Sequence, residues 1–159
     1  EARGDDRQAS DLSAVAMQSL QTAREFATSA DLELLDARIA GRAGDVVRAR
    51  TAAERILREA ERAGSPLIAT EAANSLAEIL VSAATNGAED ADDLLREAER
   101  HAQEARSIAE ATGDRAEVAR SDAILASVAG SRGDQSTVLV RAQASAQVYA
   151  EIGHRLQTA

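Results

Sequence analysis

Three glycines, Gly64, Gly113 and Gly153, close long helical runs, and the residues before them recur at fixed offsets. Fifteen positions upstream stand Ala49, Ala98 and Val138, eleven upstream Ala53, Ala102 and Ala142, and four upstream Ala60, Ala109 and Tyr149. Beyond Gly64, Leu76, Ala77 and Leu80 match Leu125, Ala126 and Ala129 beyond Gly113. The most complete copy, Glu89 to Ala129, reads as a long helix, a Thr112-Gly113-Asp114 break and a second helix. Self-similarity of this period marks stacked helical repeats, in which no unit buries its apolar face alone. Such a chain folds as an all-α array.

Composition agrees. With one Phe, one Tyr and no Trp, the interior falls to Ala, Leu, Ile and Val. Alanine is the best helix former and lets helices approach closely. One proline and nine glycines leave little material for turns, so long helices with short links are expected. Alternation of β-branched residues is nowhere sustained, and no strand is expected.

Along the chain, residues 1–9 read as a flexible lead-in and 10–159 as a single repeat domain. Ser10 or Asp11 caps a first helix to about Ala27, with Leu12, Val15, Ser19 and Phe26 turned inward. A break is expected near Ser29-Ala30-Asp31, with one helix running on from Arg24 to Ala43 as the alternative. Leu32, Leu35 and Ile39 form the apolar stripe of the next helix. Gly44-Asp45 ends it and caps helix 45–63, which turns Ala49, Ala53, Ile56, Leu57 and Ala60 to one side. Glu54 and Arg58 form an i,i+4 pair worth roughly 0.3–0.5 kcal/mol. Ser65-Pro66 opens helix 66–85, expected to bury Ala69, Ala73, Leu76, Ala77 and Leu80. Asn86-Gly87 and an acidic run, Glu89-Asp90-Ala91-Asp92-Asp93, lead into helix 91–112, the carboxylates suiting the positive end of the helix dipole. Asp114 and Glu117 make a capping-box-like start for a helix to about Ser131. Gly133-Asp134 breaks again before helix 134–152. The total is six or seven helices, paired as hairpins.

The net charge is −9, and every strong base is an arginine. An acidic chain argues against general nucleic-acid or anionic-membrane binding. No run approaches eighteen apolar residues, so no membrane span is expected. The absence of cysteine removes disulfide and thiol chemistry and leaves the compartment open. With no signal peptide recognised, the cytoplasm is the expected location. The chain opens at Glu1 and stops just after His154-Arg155-Leu156, where another helix should begin, so it reads as part of something larger.

The residues now support a resemblance. Paired helices with Gly-Asp between them, and the stretches Ile39-Ala-Gly-Arg-Ala-Gly-Asp-Val-Val-Arg-Ala-Arg and Ala109-Glu-Ala-Thr-Gly-Asp-Arg-Ala-Glu, resemble tetratricopeptide repeats. The variety is that of large bacterial signalling proteins, including ATP-dependent transcription activators, and the resemblance covers roughly residues 30–156. It implies a right-handed superhelix of stacked antiparallel helix pairs. The turns at Gly44, Gly87 and Gly133 lie 43 and 46 residues apart. The usual period is about 34 residues, and HEAT-type repeats, at roughly 40–47, are the alternative fold. The large aromatic of the first helix and the closing proline are missing as well.

The resemblance also implies a concave groove lined by the first helix of each pair. Carried over position by position, it comprises Asp31, Leu34, Arg38 and Arg42; Glu71, Asn74, Glu78 and Ser82; and Arg120, Ala123, Ser127 and Ser131. Arg38, Arg42, Glu71, Asn74, Glu78, Arg120 and Ser127 are the expected partner-binding residues. The plain alternative is a charged, solvated face. The clamp of chaperone-binding members needs Lys and Asn at these places, and only Asn74 matches.

Other features point less far. Arg132-Gly133-Asp134 spells an adhesion tripeptide but occupies a helix–helix turn, as Gly44-Asp45 does. His101 has Glu97 and Glu104 near its face, which reads as a solvated helical face rather than a metal site. The acidic run lacks the glycine and closing glutamate of a calcium loop. No nucleophile–base pattern or phosphate loop is present, and His154 is placed at a turn. No enzyme activity, cofactor or metal is expected. The expected function is a non-catalytic interaction module that takes a peptide or helix. The alternative is a regulatory domain that senses a ligand or self-associates to control an attached effector. Helix 134–152 spreads Val138, Leu139, Val140, Val148, Tyr149 and Ile152 beyond one stripe, so it is expected to cover this surface either with a partner chain, a homo-oligomer being one form of that, or with the continuation of the protein.

Overall fold

This computed structural model describes the backbone of residues 2–157 and the side chains of Leu12 and of residues 15–153. Six helices and no strand occur among the described residues: α1 (Ala2–Arg42), α2 (Val46–Arg62), α3 (Pro66–Thr85), α4 (Ala91–Thr112), α5 (Arg115–Ser131) and α6 (Gln135–Gln157). The chain divides into two compact units, Glu1–Leu32 and Glu33–Ala159.

The first unit is the N-terminal part of α1. The helix runs from Ala2 through the expected lead-in and through Ser29-Ala30-Asp31 without a break. Neither Gly nor Pro stands at 29–31, so nothing there stops an α-helix. The expected cap at Ser10 or Asp11 is replaced by helix interior; both side chains lie outside the described residues. Leu12, Val15 and Ser19 are exposed and Phe26 is half-buried, which corrects their inward assignment.

The second unit holds the core. Each helix from α2 to α5 packs on its successor, and α3 also packs on α5. Gly41 of α1 meets Ile79 of α3 so closely that an added Cβ would lie 3.2 Å from Ile79 Cγ1. Arg50 of α2 reaches Glu97 of α4 at 2.8 Å. Within this unit α3 is thus the hub, reached by α1 at Gly41 and packed on by α5, while α2 touches α4 through an ion pair.

Alanine makes this closeness possible. Ala49, Ala53, Ile56 and Ala60 of α2, and Ala98, Ala102, Ala105 and Ala109 of α4, are fully buried. Helix α3 is central and apolar on most sides, burying Ala69, Ala73, Leu76, Ala77 and Leu80 as expected. By length and composition α3 is apolar enough to cross a membrane, but most of its apolar window is buried among its neighbours.

The helix ends follow local chemistry. Gly44 (φ +92°) and Gly133 (φ +78°) adopt the left-handed conformation that side chains resist, and each ends a helix. The aspartates that follow cap the next helix: Asp45 Oδ1 accepts from Arg48 N at 3.2 Å and Asp134 Oδ1 from Thr137 N at 3.1 Å. Hydrogen bonds from Thr137 and Ser136 hold the Asp134 carboxyl down at about 2. Asp114 Oδ1 accepts from Glu117 N at 3.1 Å, but the capping box stays half made. Asp114 N already donates to Ala109 O, and the Glu117 carboxylate is taken by Asn74.

Two expectations about faces are corrected. On α1, Leu34, Ala37 and Ala40 are buried, while Leu32, Leu35 and Ile39 are exposed. The two stripes lie side by side, and the one with small residues and Gly41 admits the close neighbour. In the third repeat copy, Ala142 and Tyr149 are exposed, and Gly153 lies inside α6 rather than at a turn. His154 is likewise within α6, its side chain outside the described residues.

Candidate functional site

A groove of about 340 Å3 opens between the C-terminal parts of α1, α3 and α5. Arg38 and Arg42 form one wall from α1, one helical turn apart. Ile79, Val81 and Ile124 supply aliphatic surface, and Glu78, Ser82, Thr85 and Ser127 supply polar atoms. Positions expected to share the groove thus do so for Arg38, Arg42, Glu78, Ser82 and Ser127.

Within residues 33–153, Arg38 and Arg42 form no ion pair among the described residues, a state that Arg62 alone shares. They stand in a field of paired arginines. Arg120 is the contrasting case. Its Nε donates to Glu78 Oε1 at 2.8 Å, its second terminal nitrogen to Ser75 Oγ at 3.0 Å, and Glu117 lies at 3.5 Å. Burial works against the charged guanidinium, but the Glu78 hydrogen bond and the charges of Glu78, Glu117 and Glu71 outweigh it and hold its pKa above the ordinary value. Arg120 is a strut between α3 and α5 and offers little to a ligand.

Asn74 is not a groove side chain either. It is fully buried, accepts from Ser121 Oγ at 3.0 Å and donates to Glu117 Oε2 at 2.8 Å. Leu34 belongs to the core. Glu71 is half-buried and engaged, and Asp31, Ala123 and Ser131 are exposed. α5 lies directly against the face of α3 that carries Asn74, which a position-by-position transfer does not register.

Two further polar sites were not anticipated. Asp122 is buried and accepts from Arg106 Nε at 3.0 Å and from Arg141 at 2.6 Å, tying α4, α5 and α6 together. Its legible signal is a carboxylate in register with the apolar stripe Ala119–Ala126. His101, expected on a solvated face, is buried in α4. Arg100 donates to its Nε2 at 2.8 Å, so the proton sits on Nδ1, which is buried without a partner. Burial first, and Arg100 second, push its pKa below the ordinary value against Glu97, Glu104 and Glu54.

Comparison with family models, curated protein sequences and solved structures finds no match to this chain. The geometry of the groove and of the helix faces therefore carries the functional argument.

Proposed function

We propose that this chain is a non-catalytic protein–protein interaction module. In this reading it is a tetratricopeptide-like right-handed superhelix within a larger bacterial signalling or scaffold protein, taking a short peptide or helix in the α1/α3/α5 groove. The observation that carries it is the pair of unengaged guanidiniums, Arg38 and Arg42, beside the aliphatic surface of Ile79, Val81 and Ile124. Guanidinium forks bind carboxylates bidentately. Two of them at i,i+4 beside an apolar floor suit an acidic residue followed by an aliphatic one. The net charge of −9 repels strongly acidic partners at a distance, so the ligand segment belongs on a neutral or basic body. Ser82, Thr85 and Ser127 line the same groove; the Thr85 and Ser127 hydroxyls donate to Val81 O and Ala123 O and keep lone pairs that can accept from a peptide N–H. Protein or peptide is thus the proposed partner class, rather than nucleic acid or membrane, and the cytoplasm the proposed location.

The test is an array of short peptides pairing an acidic with an aliphatic residue, read by fluorescence polarisation. Binding is expected to weaken about tenfold or more in Arg38→Ala/Arg42→Ala and to weaken with added salt, while thermal stability stays unchanged. Absence of any peptide binding by the wild type, or full binding by the double variant, overturns the reading.

A further inference from the structure

A second cavity, of about 460 Å3, lies between α4, α5 and α6 and shares no lining residue with the α1/α3/α5 groove. Arg106 of α4, Asp122 of α5 and Arg141 of α6 line it, together with Ser136, Thr137, Val140 and Ala144 of α6. Asp122 is buried, and its Oδ1 accepts from both Arg106 Nε and Arg141 Nη1. One oxygen thus fixes two guanidiniums that stay 31% and 34% exposed. Arg106 sets its Nη1 2.8 Å from Glu110 Oε1. Its Nη2, and the Nε and Nη2 of Arg141, make no hydrogen bond to a described residue.

Stacking of the helices does not call for these charges. Seven residues before and nine after the turn glycine, the copy around Gly64 has Leu57 and Ala73 where the copy around Gly113 has Arg106 and Asp122. Ala73 is buried and Leu57 half-buried, so the earlier copy packs with no ion at these two places. The helices on either side also differ in charge. α2 and α4 both pack on α3, and α4 and α6 both pack on α5, with no backbone packing of α2 on α4 or of α4 on α6. The gap between α2 and α4 is bridged by opposite charges, Arg50 and Glu97 at 2.8 Å, which keep 37% and 27% of their exposure although α5 and α6 follow in the chain. The gap between α4 and α6 has an arginine on each wall.

We propose that the α4/α5/α6 cavity binds a small aliphatic monocarboxylate, its oxygens on the free donors of Arg141 and Arg106 and its hydrocarbon against Val140 and Ala144. The Nε–Nη2 fork of Arg141 matches the two oxygens of a carboxylate. Asp122 is the support that holds both guanidiniums at the cavity. Charge sets the valence of the ligand. Asp122 and Glu110 already offset the two arginines, and the Asp134 carboxylate sits beside them, accepting from the hydroxyls of Ser136 and Thr137. A dianion would face all three carboxylates. A monoanion need displace only Glu110, which is 52% exposed and so held weakly. The N-terminus of α6 is not the donor, because Asp134 caps it. The bound carboxylate bridges α4 to α6, so it stabilises the fold by mass action.

Isovalerate is the probe, titrated into the isotope-labelled chain at constant ionic strength and followed by amide NMR shifts and thermal melts. Isovaleramide and inorganic phosphate are the comparisons. Isovalerate is expected to give saturable shifts at Arg106, Asp122 and residues 136–144 and to raise the Tm. Isovaleramide should do neither, and phosphate should bind more weakly. Val140→Glu, at an exposed position, is expected to keep its helical circular dichroism and lose saturable binding. Arg141→Gln should weaken binding about tenfold or more; if that variant fails to fold, Val140→Glu decides. Arg38→Ala/Arg42→Ala is expected to bind isovalerate at this cavity as the wild type does, so failure of the peptide groove leaves the present site standing. Absence of saturable shifts overturns the proposal, as does an equal response to isovaleramide or tighter binding of phosphate. Unchanged binding in Val140→Glu overturns it too, and so do shifts that gather on Arg38 and Arg42 and vanish in their double variant.

Discussion

Ser121 donates to Asn74 Oδ1 at 3.0 Å, between two side chains with no access to solvent. The bond joins α5 to α3 inside an otherwise aliphatic interior. Asn74 Nδ2 donates onward to Glu117 Oε2, and Arg120 ties Glu117 and Glu78 to the same pair of helices. A polar seam of this kind is satisfied only in one register of α3 against α5. An apolar contact between alanine-rich helices would tolerate sliding.

Truncation of Asn74 should therefore cost more than its size suggests. Asn74→Ala leaves the Glu117 carboxylate without its amide donor and opens a small void, so a loss of about 2–3 kcal/mol is expected in denaturant melts. Ser121 can still donate to Glu117 O at 2.9 Å. Adding Ser121→Ala to Asn74→Ala should thus cost less than Ser121→Ala in the wild type, a coupling that a double-mutant cycle reads directly.

The groove arginines should separate cleanly. Arg120→Ala strands Glu78 and Glu117, both partly buried, and is expected to lower stability by about 2 kcal/mol, below the range for a fully buried pair because Glu78 keeps some solvent. Arg38→Ala breaks no ion pair among the described residues and is expected to move the midpoint by no more than about 0.5 kcal/mol. Equal losses in the two variants would contradict the assignment of one as strut and the other as free.

Ala102 and Ala142 occupy the same repeat offset in opposite surroundings. Ala102 is fully buried where α4 meets its neighbours, so Ala102→Leu is expected to cost about 1–3 kcal/mol by overpacking. Ala142 is exposed, and Ala142→Leu should change the monomer's stability by less than about 0.5 kcal/mol. Chemical denaturation at concentrations too low for association compares them.

His101 makes stability depend on pH. Its folded pKa lies below the unfolded value of 6.5, so below that pH the unfolded chain binds a proton that the native chain resists. Stability from this group is complete above 6.5 and is lost as the pH falls through the folded value. Between pH 7 and 5 the wild type is expected to lose stability. His101→Leu, which also removes the unpartnered buried Nδ1–H, should flatten that slope. An unchanged slope in His101→Leu would assign the dependence to the carboxylates instead.

Much of the fold was legible because helix ends are set locally. The boundaries from Gly44 to Gly133 rest on glycines at positive φ, on Pro66 and on aspartate caps, and a residue's own backbone preferences suffice to mark these. The buried stripes of α2, α3 and α4 were legible too, since helices with neighbours on both sides show their apolar period undistorted. Helix α1 was read less well. Its two adjacent stripes, Leu32–Leu35–Ile39 and Leu34–Ala37–Gly41, are both apolar, and periodicity gives no preference between them.

By itself, then, the sequence determined an all-α chain, the register of five inter-helix turns, and alanine as the residue at the crossings. Only the tertiary structure decided which face each helix buries, and hence that Asn74 and Arg120 are struts, that His101 is interior, and that Arg38 and Arg42 stand free. The physical reason is that helix formation depends on residues within one or two turns. Burial and pairing depend on what a neighbouring helix brings to the same point from some forty residues away, as Glu117 and Ser121 do for Asn74. Where no neighbour comes, as on the outer faces of α1 and α6, an apolar stripe of the right period remains in solvent.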